Sequence, residues 1–160
     1  MRIREMEAKD NRDMEQIIKV SLESVGLDIP GTAYYDPQLG ELAQFYSLQQ
    51  KAKYWVVVDE KENVVGGVGI APYNQKKRIC ELQKLYIAPV AQGLGVSKGL
   101  MGTALEFAEE HYKFCYLETS KKMSVANQLY RKLGFELLEG PLEGSEHGAM
   151  DAWYLKKLTK

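Results

Sequence analysis

Glu81-Leu82-Gln83-Lys84-Leu85-Tyr86-Ile87 is followed by Ala88-Pro89-Val90-Ala91, then by Gln92-Gly93-Leu94-Gly95-Val96-Ser97 and a run from Lys98 to Leu105. The first piece has strand character, the second turns, the third is a glycine loop, and the fourth opens a helix. Gly93 and Gly95 can take positive φ and let the backbone approach a ligand. The helix behind them aims unpaired N–H groups and the positive end of its dipole back at the loop. Strand, glycine loop and helix N-terminus in that order make a site for phosphate oxygens. The loop is not a P-loop, because no Gly-Lys-Ser/Thr follows at the required spacing. It is a poor dinucleotide fingerprint, because Lys98 stands where a third glycine belongs. The plain alternative is a turn that only joins strand to helix.

Outward from this stretch, Leu82 and Leu85 are three apart and Ile87 follows at two. On an ideal strand Leu82 and Leu85 face opposite sides. If both face the core, an extra residue bulges near Gln83–Lys84. The alternative is a strand apolar on both faces. The helix carries Val96, Leu100, Ala104 and Ala108 at fours, with Leu105 beside them. It leads into a strand over Phe114–Thr119, and a helical crossover sets that strand parallel to Glu81–Ile87. A second helix holds Ala126, Leu129, Tyr130 and Leu133 on one face and stops at Gly134. Phe135–Leu138 and Ala149–Leu155 are predicted strands, the latter closing the sheet, with a polar loop between them.

On the N-terminal side, Arg2–Met6 reads as a strand. Asp10 or Asn11 caps a helix with Met14, Ile17, Ile18, Leu22 and Val25 in helical period, ending at Gly26. Asp36-Pro37 predicts a second helix start, with Asp36 as N-cap and Leu39, Leu42, Phe45 and Tyr46 as its buried stripe. Tyr54–Val58 and Val64–Ala71 form a predicted hairpin. Gly66, Gly67 and Gly69 within it point to a bulge or a close backbone approach.

The chain has 160 residues, 45% hydrophobic and 27% charged, as expected of one ordinary globular domain spanning 1–160. A net charge of −1 supplies no global field for nucleic acid. No apolar run matches a membrane span, and no signal segment is visible, so a cytoplasmic protein without a membrane partner is expected. Cys80 and Cys115 read as buried thiols. With His111 and His147 they make no metal-ligand spacing, so no metal is expected.

Gln92-Gly93-Leu94-Gly95-Val96-Ser97 resembles the pyrophosphate-cradling Gln/Arg-x-x-Gly-x-Gly/Ala motif of the GCN5-related N-acetyltransferases (GNAT family), with Ser97 in the last small position. Ala126-Asn127-Gln128-Leu129-Tyr130-Arg131-Lys132-Leu133-Gly134-Phe135 resembles the family's Ala-x-x-Leu-Tyr-x-x-x-Gly-Phe segment. Met123 departs from the asparagine common in the family three residues before the alanine. The resemblance covers nearly the whole chain in element order, and its motifs are specific between about Glu81 and Phe135. It implies an α/β (α+β) fold: a mixed, twisted sheet of about six to seven strands with a splayed central parallel pair and about four helices.

The resemblance also implies an acetyltransferase that uses acetyl-coenzyme A as co-substrate and acts by direct transfer to a primary amine of a small molecule or protein. Leu85, Tyr86 and Ile87 would meet pantetheine, with the Tyr86 N–H as oxyanion donor. Gln92, Gly93, Leu94, Gly95, Val96, Ser97 and Lys98 would hold the pyrophosphate. Tyr130 is the candidate acid, since a phenol of pKa ~10 can protonate a thiolate of similar basicity. Glu81 is the candidate base. Their bland alternatives are a packing tyrosine and a solvated or salt-bridged strand glutamate, and Lys98 reads equally as a solvated lysine. Tyr34, Tyr35, Asp36 and Glu143 are candidates to border an acceptor cleft, and His147, in the last hairpin loop, reads as a surface histidine that could border it too. A non-catalytic acyl-coenzyme A binding module and a small nucleotide-binding protein are the other readings, and a homodimer stays open.

Overall fold

The computed structural model describes residues 1–159. Seven strands form one sheet in the order β1-β2-β3-β4-β5-β7-β6. They are β1 (Arg2–Glu5), β2 (Lys53–Val58), β3 (Val64–Asn74), β4 (Ile79–Ile87), β5 (Phe114–Thr119), β6 (Glu136–Leu138) and β7 (Ala152–Lys157). Four α-helices accompany them: α1 (Asn11–Ser24), α2 (Leu42–Ser47), α3 (Val96–His111) and α4 (Ser124–Lys132). Every pairing is antiparallel except β4 with β5, the pair joined through α3. The mixed α+β fold with a central parallel pair is therefore the one expected. β7 lies inside the sheet between β5 and β6 rather than closing it, because the β6–β7 hairpin folds back and leaves the short β6 at the edge. Among the described residues no helix is long and apolar enough to cross a membrane.

Both faces of the sheet are covered, so β2 is buried and non-charged from Tyr54 to Val58, with only Lys53 at its start exposed. Trp55 and Val57 join Leu100, Met101, Ala104 and Tyr154 on the α3/α4 face, while Tyr54, Val56 and Val58 join Met14, Ile18, Leu22 and Leu42 on the α1/α2 face. The fours spacing of α3 buries Leu100, Ala104 and Ala108 fully, and each buried leucine-sized side chain stabilises the docking by about 1.5–3 kcal/mol. Cys80 and Cys115 sit side by side in the parallel register, reduced and without solvent exposure.

The second helix does not begin at Asp36. Asp36 is extended (φ −60°, ψ 128°), a 3-10 turn spans Leu39–Glu41, and the α-helix starts only at Leu42. The Asp-Pro signal is local. Here it is overruled by two long-range partners of the Asp36 carboxylate, Lys84 and His147.

Candidate functional site

β4 and β5 pair only through Ile79↔Phe114, Cys80↔Cys115 and Glu81↔Tyr116, and then part. The parting begins where β4 is bulged. Gln83 opposes Gly69 and Tyr86 opposes Gly67, so Lys84 and Leu85 together face Val68 alone. The expected bulge is present, and Leu82, Leu85 and Ile87 all turn to the α3/α4 core. Lys84 carries the irregularity at φ 52°, a conformation that costs an L-residue on the order of 1–3 kcal/mol. Two contacts hold it there. Its carbonyl accepts a hydrogen bond from the Tyr54 hydroxyl at 2.7 Å, and its ammonium lies 2.9 Å from Asp36. Gly67 and Gly69 make room for the tyrosine: a Cβ would stand 2.5 Å and 2.7 Å, respectively, from its ring. The close approach anticipated at these glycines is thus made mainly by aromatic rings.

Beyond the bulge, Ala88 donates its N–H to the Val65 carbonyl at 2.8 Å. Backbone groups alternate in direction along a strand. Tyr86, opposite Gly67, therefore points its N–H at β3, whereas Leu85 and Ile87 turn theirs into the gap. This corrects the expectation for the Tyr86 amide, which the sheet already uses; the Leu85 amide is the one directed at the opening. The Ile87 carbonyl accepts from the Gln92 side chain at 3.2 Å.

Two cavities flank the bulge. One, about 460 Å³ with its mouth, occupies the gap between the splayed strands and is lined by Leu85, Tyr86, Leu117, Met123, Ala126 and Tyr130 among others. The second, about 750 Å³ with its mouth, opens on the side of the Ala33–Ser47 segment and the loop before β7, with Asp36, Phe45, Tyr73, Glu81, Glu146 and His147 in its wall. Lys84 and Glu118 border both. Tyr34, Tyr35 and Glu143 line neither; Tyr34 instead donates its hydroxyl to Glu23.

Tyr130 and Glu81 fall in different cavities on either side of that shared wall. The Tyr130 ring packs against Phe135 and Tyr154. No hydrogen bond ties its hydroxyl to a described residue, and no buried side-chain oxygen among them lacks a partner, so the oxygen opens on the gap. Burial, reinforced by Tyr86, raises its pKa, so the phenol keeps its proton at neutral pH. Glu81 is half-buried and accepts from the Gln83 amide at 2.7 Å; Gln83 in turn accepts from the Tyr46 hydroxyl. Burial pushes the Glu81 carboxyl up to about 7, with Glu118 adding to the shift and Gln83, His147 and Lys84 opposing it. A carboxyl in that range is matched to taking up a proton near neutral pH.

Asp36 binds the wall together. Burial works against its ionisation, but the His147 hydrogen bond (3.0 Å) and the Lys84 charge outweigh it and hold the carboxyl below its usual range. The same hydrogen bond, against some loss from burial, raises the pKa of His147. The neighbouring thiols do not join this chemistry. Cys115 is raised well above the usual thiol value by its hydrogen bond with Cys80 and by burial, which disfavours a thiolate.

At the far end of β4, Gly93 and Gly95 take φ 79° and 77°. A Cβ on either would meet no protein atom within 4 Å. The open side of the loop is therefore free for a ligand, with the first N–H groups of α3 behind it. Val96, Ser97 and Lys98 make the first turn of α3, and Leu94 stands exposed in the loop. The structure brings only part of the predicted set together. Leu85, Tyr86 and Tyr130 line the gap cavity and Glu81 the other, whereas Ile87 and the loop residues Gln92–Lys98 line neither and lie beyond them at the end of β4. Lys84 and Glu118 were missed. A lysine in a strand and a glutamate in Phe114–Thr119 carry no signal until the strands part around them.

The chain belongs to the GNAT acetyltransferase family, whose model, "Acetyltransferase (GNAT) family", matches residues 14–135. It is 40% identical over 159 residues to the Escherichia coli protein "Uncharacterized N-acetyltransferase YjgM", covering 98% of this chain and 94% of that one. A GNAT-family acetyltransferase structure from Staphylococcus aureus superposes with a TM-score of 0.87 at 18% identity over 99% of both chains. A phosphinothricin acetyltransferase from Sinorhizobium meliloti, solved in complex with AcCoA, superposes with a TM-score of 0.74 at 23% identity, covering 98% of this chain and 88% of that one.

Proposed function

We propose that the protein is an N-acetyltransferase that moves an acetyl group from acetyl-coenzyme A directly to a primary amine. The observation that carries this reading is the pair of cavities meeting at Lys84 and Glu118, with the free Tyr130 hydroxyl in one and Glu81 in the other. The residues fit the donor. Gly93 and Gly95 leave a cradle that a Cβ would fill, and the Leu85 and Ile87 N–H groups turn into the gap where an extended amide chain would lie. The AcCoA complex of the structural neighbour supports the same assignment. The donor supplies an acyl carbon activated by sulfur.

Glu81 removes the proton of the incoming ammonium, directly or through water, and so frees the lone pair that attacks the acyl carbon. The Leu85 N–H steadies the negative charge that gathers on the carbonyl oxygen as the C–N bond forms. Tyr130 gives its proton to the sulfur as the C–S bond breaks, the acylated nitrogen returns its remaining extra proton to the Tyr130 phenolate through water, and Glu81 releases its own to solvent, so an amide and a free thiol leave the site. Both substrates are bound together, and no acyl-cysteine forms on Cys80 or Cys115, which are sealed from solvent. Thiol release from acetyl-coenzyme A with a panel of amines tests the reading. Intersecting initial-velocity lines are expected. Coenzyme A binding without thiol release in any arm would instead make the chain a binding module, and parallel, ping-pong lines would overturn direct transfer.

A further inference from the structure

The wall shared by the two cavities holds one cation and one anion, and only the cation has a counter-charge at hydrogen-bond distance. Lys84, its side chain 4% exposed, is committed to Asp36 at 2.9 Å. The Glu118 side chain is 2% exposed. Its Oε2 accepts from the Tyr116 hydroxyl at 2.7 Å. Its Oε1 has only His147 Nδ1 at 4.0 Å, beyond hydrogen-bond reach. A carboxylate so deep, with one oxygen lacking a hydrogen-bond donor and its nearest cation, His147, 4.0 Å away, is left for a ligand to complete. Because no buried side-chain oxygen among the described residues lacks a partner, this oxygen opens on the cavities that Glu118 borders. The backbone explains how it comes to be there. β5 continues to Thr119, but β4 pairs with it only as far as Tyr116, so Glu118 stands where the strands have parted.

The charge of the second cavity points the same way. Asp36, Glu81, Glu118 and Glu146 face Lys84 and His147, and both of those basic groups turn to Asp36. Among the described residues Glu81 and Glu146 have no ion-pair partner and Glu118 has only the 4.0 Å approach of His147, and Phe45 and Tyr73 offer ring surface in the same wall. A carboxylate-bearing acceptor would find its complementary charges already occupied. A linear chain of methylenes with an ammonium at each end would find an anchor, an apolar wall and a second anionic group.

Resting on the transferase reading above, we propose that Glu118 anchors the reactive ammonium of the acceptor, and that the acceptor is an alkyl diamine or polyamine without a carboxylate. Glu118 holds the nitrogen at the junction of the cavities, and Glu81 deprotonates it.

The test uses the full chain and 1,4-diaminobutane, with n-butylamine and free lysine as comparisons. With wild-type protein, thiol release should favour the diamine over n-butylamine and lysine by at least about tenfold in kcat/KM. Glu118→Gln should raise the diamine KM about tenfold or more and leave kcat within a few-fold. The same substitution removes a buried charge whose nearest cation is 4.0 Å away, so the melting temperature should hold or rise, whereas a merely structural glutamate would lower it. Calorimetric titration of 1,4-diaminobutane into protein saturated with coenzyme A reads the anchor without turnover, and that binding should be lost in Glu118→Gln. An unchanged diamine KM and affinity in Glu118→Gln would overturn the proposal. So would a preference for lysine, or equal use of n-butylamine. Glu118-dependent diamine binding with no thiol release would sustain the anchor while refuting the transferase reading.

Discussion

Tyr130→Phe removes one hydroxyl and keeps the ring. The ring packs against Phe135 and Tyr154 at centroid distances of 5.9 Å and 5.7 Å, contacts that phenylalanine preserves. The hydroxyl has no described hydrogen-bond partner, so no intramolecular bond is lost. A structural hydrogen bond would have contributed about 1 kcal/mol, or roughly 2–4 °C in melting temperature for a chain of this size. The structure predicts a shift well below that. Loss of a general acid, by contrast, lowers turnover by about 10²-fold or more, which is about 2.7 kcal/mol on the barrier at 1.36 kcal/mol per decade. KM for acetyl-coenzyme A should move little, because the hydroxyl acts on the departing sulfur in the transition state. The assay is thiol release at saturating substrates, with a single-turnover measurement to establish that chemistry limits the rate, and calorimetric melting of the same preparation. A thioester with a more acidic thiol should narrow the difference between variant and wild type. Normal single-turnover rates, or a melting temperature lowered by several degrees with normal turnover, would refute the assignment.

Glu81 titrates near 7, so kcat/KM should rise about tenfold per pH unit below that value and level off above it; Glu81→Gln should abolish this acid limb, and a limb that survives would place the base elsewhere. The sign for stability is opposite. A carboxyl raised in the folded state retains a proton that the unfolded chain releases, so stability should fall as pH rises from about 4.5 to about 7, and Glu81→Gln should flatten that slope in melting curves. Gly95→Val puts a side chain on a residue at φ 77° and into space the loop leaves open; coenzyme A affinity should fall with circular dichroism unchanged, and unaltered calorimetric affinity would exclude the loop as phosphate site. Asp36→Asn leaves the Lys84 ammonium buried without a counter-charge, which should cost about 3 kcal/mol and lower the melting temperature by roughly 6–12 °C; Asp36→Asn with Lys84→Met should recover much of it, and a single-variant shift under 2 °C, about 0.5–1 kcal/mol, would contradict the ion pair's role.

The bulge was legible in the sequence because it changes a period. Leu82 and Leu85 can share one core only if a residue is added between them, and the structure adds Lys84–Leu85 against Val68. The glycine loop and the stripe of α3 were legible for the same reason: each is a local pattern with a local cause. Asp36 was misread because a strong local signal competed with two distant partners that no local pattern reveals. Glu118 and Lys84 were invisible as site residues, since their importance depends on where β4 and β5 cease to pair, which is a property of two segments together. The inner position of β7 was hidden likewise, because strand order in a sheet is set by non-local pairing.

An open sheet ordinarily ends in two edges. This one has two more at its centre, where β4 and β5 turn unpaired backbone toward each other beyond Glu81 and Tyr116. Exposed edges invite another chain to add a strand, and proteins protect them. Here the protection is a roof: Leu22 and Leu27 on one side, Met123 and Ala126 on the other, crowd the opening. These side chains cover the inner edges from both faces, so a sheet that parts at its centre does not lay that backbone bare as it would at an outer strand.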